Sequence, residues 1–537
     1  MKKQIYLLLL FLIAIALRLY PYATSGVPFS TDAWSPIRNT ELLIEHTPVP
    51  LGDNKIFDGY NNYWPANSLF GAVFSQVTGV EPKQAMATIL PIIGSMAILI
   101  FYVLIRRLYN EKISFIASII FGTAFTHVYF TAAVTKETYA NPLYLSLLLI
   151  FLHPTIAKRK QILLFTIAAI ALAFTHHLTP LITIAILSSI AIARFINNTK
   201  KGIAPNKSDF TLVSILTVAT AFYFGLYAQA GFKFTLTLSD MLSAASYQLL
   251  TFALATYLVF KPNVKISIRI IIMISGAMAI ALLFTLLATM ISLVAGLPTV
   301  PRHYLIYNFP YVIVIPLIIL GYGYRTRSKS SIASIFWVAP IIGLEAYAIF
   351  SNSILSLPLT LRTFNFLHPP IAVLSAAGLY GVYETVKKPK LKSLIKLGAI
   401  VTILIIVSIN SYSMYATINL EERYLGYHWL YKTEEFKAGT WITAVTNTPT
   451  IAGDIKIAYL MQDYFQVNAD ILQGYRYLAG EDESQPQILF IYDQMLKNGY
   501  VIGFHGVDLP SNWMEKTAQL NLIYSNSLVN LYTGEDV

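Results

Sequence analysis

Seven clusters of lysine and arginine interrupt this chain, and the stretches between them are long and apolar. The clusters are Lys2-Lys3, Arg106-Arg107 with Lys112, Lys158-Arg159-Lys160, Arg194 to Lys207, Lys261 to Arg269, Arg325 to Lys329, and Lys387 to Lys396. Each consecutive pair encloses two apolar stretches of roughly 16–25 residues, enough to cross a hydrocarbon core of about 30 Å. Cytoplasmic loops collect Lys and Arg, so the alternation also sets orientation. It predicts a mainly α, polytopic helical bundle of about thirteen spans, N-terminus inside and C-terminus outside.

Composition fits that class. Hydrophobic residues make up 56% of the chain and charged ones 12%, against about a quarter charged in soluble domains. The net charge of +11 invites a nucleic-acid reading, but 23 of the 38 basic residues fall in the seven clusters. There they serve topology and contact with membrane lipids. From residue 413 onward, 15 carboxylates face 7 basic side chains, so no nucleic-acid partner is expected. The chain has no cysteine, which excludes disulfides, thiolate catalysis and cysteine metal sites.

The layout divides into a membrane domain, 1–412, and an extracytoplasmic α/β domain, 413–537. The first apolar run, Ile5 to Ala16, is expected to be a retained span ending at Arg18-Leu19-Tyr20-Pro21, as no small-residue cleavage site follows it. The largest outer loop is 22–83. Within it, Ser35-Pro36 predicts a helix start, and the pattern to His46 suits a helix lying on the membrane surface. In the tail, a helix is expected over Glu434–Val445. Strands are expected at Thr450–Gly453, Gln487–Tyr492 and Tyr500–Phe504, with a helix capped by Ser511 and a hairpin around Ser525-Asn526.

Asp32, in Phe29-Ser30-Thr31-Asp32-Ala33-Trp34, is the first candidate for chemistry. A carboxylate at the outer interface can accept a proton from an acceptor hydroxyl or hold a divalent cation. Lys136-Glu137 sits in a very short outer turn, where the ammonium can meet a phosphate and the carboxylate can join Asp32 around Mg or Mn. His176-His177 is not a chelating pair, because adjacent helical residues point about 100° apart; one of them can donate to a phosphate or sugar. Glu345 lies inside the eleventh expected span, where a carboxylate is costly and marks a sugar-binding or pairing role. Arg362, just before the twelfth, suits a phosphate headgroup, and Arg302 is a weaker candidate of the same kind. The structural alternatives are a solvated loop or helix cap for Asp32, interfacial anchoring for the charges, and phospholipid contact for the arginines.

The assembled features resemble the GT-C superfamily of membrane glycosyltransferases, which use lipid-phosphate-linked sugar donors. The resemblance rests on Leu17-Arg18-Leu19-Tyr20-Pro21, Asp32 in a long first outer loop, Tyr63-Trp64-Pro65, the short acidic second loop at Glu137, Arg362, and an exterior C-terminal domain. Thirteen spans and a soluble tail look most like the catalytic subunit of archaeal oligosaccharyltransferase. Two departures stand out. Thr31-Asp32-Ala33 carries one carboxylate where family members commonly pair two, and nothing matches the Trp-Trp-Asp-Tyr-Gly acceptor signature, since Trp441 stands alone. The resemblance implies a 1–412 domain of GT-C type and transfer of a sugar from a polyprenyl- or dolichyl-phosphate donor to a glycan, lipid or protein acceptor. Asp32 would be catalytic; Lys136, Arg362, Arg302, His176 and His177 would hold the donor phosphate; Glu137, Glu345, Tyr63 and Trp64 would meet acceptor or sugar. The alternatives are a ligase or polymerase of lipid-linked glycans, a transporter or flippase, or an inactive GT-C scaffold.

Overall fold

The computed structural model describes residues 2–46, 62–153, 156–204, 206–231, 237–260, 268–291, 299–325, 331–351, 356–446, 449–502 and 506–534. Asp53, Asp58, Tyr60 and Asn61 of the loop 22–83 lie outside them. Contacts divide the chain into two compact units. Unit one comprises Met1–Arg18, Ile92–Thr131 and Lys136–Tyr415; unit two comprises Leu19–Pro91, Ala132–Thr135 and Ala416–Val537.

Long helices run over Lys2–Ser25, Pro82–Leu108, Lys136–Leu152, Lys158–Thr175, Leu178–Lys200, Lys207–Leu226, Leu238–Phe260, Ile268–Leu287, Leu305–Arg325, Ser331–Phe350, Ser356–Thr385 and Pro389–Asn419, with a bent pair at Glu111–Thr123 and Phe125–Ala132. The chain is a multi-pass membrane protein. Among the described residues nine helices are long and apolar enough to cross a membrane, ten if the bent pair is one span. Lys136–Leu152, with 17 residues, and Lys158–Thr175, which opens on three basic side chains, fall outside that number. Exposed Val218, Leu249, Leu254, Leu282 and Leu404 give these helices the apolar outer faces that hydrocarbon requires.

The first helix does not end at Arg18. It continues through Pro21 to Ser25, and the Arg18 side chain, fully buried in unit one, is held by acceptors on its own and other helices. Its Nε donates to Thr131 Oγ1 at 2.7 Å, and its Nη1 donates to the carbonyls of Ala14 and Gly122 at 3.1 and 3.2 Å. Gly122 lies beside the 61° bend between Glu111–Thr123 and Phe125–Ala132. A broken helix frees backbone groups that lipid cannot satisfy. Here Arg18 covers the Gly122 carbonyl, and Asn410 Oδ1 accepts the Phe125 N–H at 2.9 Å.

An aromatic core fills the same unit. Phe101 and Phe121 have ring centroids 4.7 Å apart, Tyr144 and Phe366 5.4 Å, and Trp337 packs edge-on against both Phe101 and Tyr144. Leu305–Arg325 and Ser356–Thr385 cross closely because Gly321 and Gly378 face each other's backbones. A Cβ on Gly378 would run into the Leu317 carbonyl, and one on Gly321 into that of Leu374. Such small-residue crossings replace the missing hydrophobic drive between membrane helices. We expect Gly378→Val to cost about 1–3 kcal/mol through overpacking, read as a lowered melting temperature of the purified protein, with Gly398→Val, in open space, nearly neutral.

Unit two combines the loop 22–83 with the tail. The loop helix spans Trp34–Glu45, and its N-cap is Ala33 with no side-chain cap, so Ser35 is not the cap. Nor does the helix lie bare on a surface. Trp34, Ser35, Pro36, Ile37, Asn39 and Thr40 are buried; Trp34 meets Tyr431, Phe436 and Tyr464 at ring distances of 4.9–5.7 Å, and Tyr464 Oη donates to Glu41 at 2.8 Å.

The tail is α/β as expected, with strands β1 (Ile451–Ala452), β2 (Ala469–Asp470), β3 (Ile488–Tyr492), β4 (Tyr500–Ile502), β5 (Gly506–Asp508), β6 (Asn521–Asn526) and β7 (Val529–Thr533). Five make one sheet, ordered β2-β1-β3-β7-β6, in which β1 is parallel to β2 and β3 and the rest pair antiparallel. The expected terminal hairpin is β6–β7, while the expected Ser511-capped helix is only Met514–Thr517, with Trp513 at its N-cap. Helix Thr433–Val445 was expected; Ile455–Asp463 and Ile471–Ala479 were not, although Asp454 and Asp470 cap them with their side chains.

Candidate active site

Asp32 sits in unit two on a short 3-10 turn, Thr31–Ala33. The residue before that turn, Ser30, has φ 103° and ψ 139°, a region that L side chains rarely adopt. Several contacts hold it there. Ser30 N donates to the Trp429 carbonyl at 2.9 Å, Val134 N donates to the Phe29 carbonyl at 3.2 Å, and the Phe29 and Trp429 rings meet edge to face. Ser30 Oγ in turn accepts the Asp32 N–H at 3.1 Å. The half-buried Asp32 carboxylate therefore rises from a strained, over-determined turn, a feature concentrated at functional sites.

A second cluster belongs to unit one. Lys136 and Glu137 are not in a free turn but open the helix Lys136–Leu152, and both are buried. A carboxylate in the first turn suits the positive end of the helix. Glu137 Oε1 accepts from Asn365 Nδ2 at 2.8 Å, and Glu137 Oε2 faces Arg362 Nη1 at 3.6 Å. Asn365 Oδ1 pairs in turn with His127 Nδ1 at 2.8 Å. Thr131, which receives Arg18, hydrogen-bonds to the His127 carbonyl at 2.5 Å. A continuous polar chain thus runs Arg18, Thr131, His127, Asn365, Glu137, Arg362 through an otherwise apolar interior. Arg362 lies inside the helix Ser356–Thr385, one turn before Asn365, rather than ahead of it.

His176 ends one helix and His177 starts the next. Burial, then the neighbouring His177, Arg362 and Lys136, holds the His176 imidazole well below its usual range. Burial, then Arg362 and Lys136, pulls His177 down to about 3. Both rings are neutral at physiological pH, and both feel the same two cations. His176 Nδ1 is engaged with Thr179 Oγ1 at 2.7 Å, which orients the ring. Unit one thus brings Lys136, Arg362, the Glu137 carboxylate and two neutral imidazoles into one neighbourhood, with Lys136, Glu137 and His177 at the starts of two long helices. Chemically, that combination suits an anion.

No family model matches the sequence, and no curated protein matches it. Solved structures do. The Archaeoglobus fulgidus oligosaccharyltransferase tethered to an acceptor peptide containing the NVT sequon aligns at TM-score 0.57 and 14% identity, over 92% of this chain and 69% of that one. The same organism's oligosaccharyltransferase AglB, in complex with an inhibitory peptide and a dolichol-phosphate, aligns at 0.57 and 13%, over 92% and 70%. Its complex with Zn and sulfate aligns at 0.57 and 15%, over 91% and 68%. The chain shares the fold of these oligosaccharyltransferase structures.

On this fold the remaining expected site residues are distributed unevenly. Glu345 lies in unit one and accepts a hydrogen bond from Thr363 Oγ1, the residue next to Arg362, so its carboxylate is partnered within the bundle. Arg302 is exposed on a 3-10 turn and joins no described ion pair. Tyr63 and Trp64 belong to unit two, with Trp64 fully buried and their rings 6.4 Å apart edge to face, as core residues pack. Among the described residues no three His, Asp or Glu side chains gather as a metal site. Glu137 does not fit Mg or Mn either: an amide N–H and a guanidinium already face its oxygens, and cations surround it.

The sequence alone assigns no role to Asn365, which stands beside Arg362, nor to Thr363 and His127. A histidine inside an apolar segment, as in Phe125-Thr126-His127, was a signal, because ionisable groups at that depth are costly and find partners. Asn365 lay three residues after Arg362, on the same helix face.

Proposed function

We propose that this protein is an integral membrane glycosyltransferase that moves a sugar from a polyprenyl-phosphate carrier to a hydroxyl acceptor at the outer face of the membrane, with its C-terminal domain on that side. The observation carrying this reading is the grouping of Lys136 and Arg362 with neutral His176 and His177 around a carboxylate fixed by Asn365. In the reaction the bond from the sugar's anomeric carbon to the phosphate oxygen breaks, and the phosphate leaves with the electron pair. Two pre-positioned cations stabilise the charge that grows on it. The acceptor oxygen bonds to the anomeric carbon, and its proton passes to the Asp32 carboxylate. Glu137, held by Asn365 and Arg362, keeps the guanidinium in place. AglB is described with a dolichol-phosphate and with an acceptor peptide; the carrier class carries over in this proposal. The peptide does not, because the Trp-Trp-Asp-Tyr-Gly signature is absent from this sequence.

Arg362→Gln tests the phosphate role directly. Removing one charge-assisted contact is expected to lower kcat/KM for a polyprenyl-phosphate sugar by about ten- to a hundredfold. Transfer of radiolabelled sugar in proteoliposomes measures it. Unchanged kinetics in a folded variant would remove the phosphate from this site.

A further inference from the structure

The helices Lys136–Leu152 and Leu178–Lys200 of unit one have a second polar end. About 24 Å from Lys136, at 1.5 Å per residue, a partly open cavity of about 540 Å³ is lined by the far ends of these helices and by the start of Lys207–Leu226. Two of the seven basic clusters meet there, contributing Lys158 and Arg194. Such a volume lies within the usual range for small-molecule sites.

The side chains differ in how far they are committed. Arg194 is fixed: its guanidinium pairs with Asp209 at 3.3 Å and lies 5.5 Å from the centre of the Phe151 ring. Asp209 is buried and also accepts from Asn206 Nδ2 at 2.9 Å. The cavity's carboxylate is therefore spoken for, which disfavours a metal ion or a choline-type cation. Lys158, Asn197 and Asn198 use their side chains in no hydrogen bond or ion pair among the described residues, and the buried Ser208 Oγ has no partner. One wall is apolar, formed by Leu108, Ile332 and Phe151. The cavity thus combines a net positive charge, two open amides, a hydroxyl without a partner and a greasy side.

We propose that this cleft binds a phosphate ester carrying a polyol, the chemistry of an inositol-headed anionic lipid. The lysine and the fixed arginine meet the phosphate, the amides and Ser208 meet hydroxyls, and the apolar wall takes the start of the acyl chain. Basic pockets between membrane helices on the side rich in Lys and Arg recognise headgroups in this way. The inference does not depend on the transfer reaction, since it uses none of the residues assigned to it.

Arg194→Gln would strand the Asp209 carboxylate and endanger folding, so the informative variant is Lys158→Gln with Asn198→Ala, which leaves that pair intact. Full-length protein in detergent micelles is titrated with phosphatidylinositol and with phosphatidylcholine and followed by native mass spectrometry. Phosphatidylinositol should be retained at least about tenfold more tightly than phosphatidylcholine, one charge-assisted contact's worth, and the double variant should lose that preference with an unchanged melting temperature. Equal retention of the two lipids, or an unaltered preference in the variant, overturns the proposal. A competition arm separates the two sources of the same chemistry. Displacement by soluble myo-inositol 1-phosphate identifies the headgroup alone as sufficient, whereas lipid that stays bound identifies the intact lipid as the ligand.

Discussion

Asp32→Asn is expected to lower sugar transfer by about two to four orders of magnitude, the range for removing a general base. The change is nearly isosteric. It keeps the backbone N–H that Ser30 Oγ accepts and the 3-10 turn itself, and it deletes only the charge and the capacity to take a proton. Folding should therefore survive, and the loss should appear in kcat more than in donor KM, because Asp32 is assigned to the acceptor proton and not to the phosphate. Transfer assayed in proteoliposomes, beside a melting curve of the same preparation, separates the two. Undiminished transfer by a folded variant would refute the proposed chemistry.

The largest stability effect is expected at Lys456. Its ammonium pairs with Glu435 at 2.6 Å while both side chains are almost wholly buried, and the Tyr431 and Tyr492 rings lie 5.0 and 4.4 Å away. Removing one partner leaves an uncompensated buried charge, so Lys456→Met should cost about 3–5 kcal/mol. Replacing both, with Glu435→Leu added, should recover much of that loss. The pH dependence has a defined sign. Burial already raises the Glu435 carboxyl above the usual range, with Lys456 pulling it back. Without the lysine it rises further, and a carboxyl with a raised folded-state pKa holds its proton better folded than unfolded. The Lys456→Met defect should therefore be smaller at pH 5 than at pH 8. Hydrogen exchange of the β3 amides in the full-length protein measures it, and a defect that grows on acidification would contradict the buried-charge account.

Much of the bundle could be read from residue order because hydropathy and length act locally. A run of leucine and isoleucine bounded by lysines has few ways to be satisfied other than as a membrane helix. Arg18 marks where that logic stops. An arginine after twelve apolar residues reads as a helix end, yet distant acceptors at Thr131 and Gly122 let it stay inside. The same holds for the site. The charged residues Lys136, Glu137 and Arg362 stood out by their cost in an apolar setting, whereas Asn365 and His127 acquire a role only from the partners the fold brings to them. In the tail, β3 and the terminal hairpin were visible as alternating or apolar runs. Strand β2, two residues long, exists through pairing with β1 and has no pattern of its own.

The interruption near Ala124 has a bearing on how the protein is made. One exposed carbonyl there is covered by a side chain from the opening helix, available at once during synthesis, but the matching amide at Phe125 is covered by Asn410, 285 residues later. Until the last hydrophobic segment leaves the ribosome, that kink carries an unmet donor at a depth without water. The nascent chain must therefore keep its third segment sheltered, by the insertion machinery or in a provisional straight form, and acquire the bend only once the segment carrying Asn410 has been made.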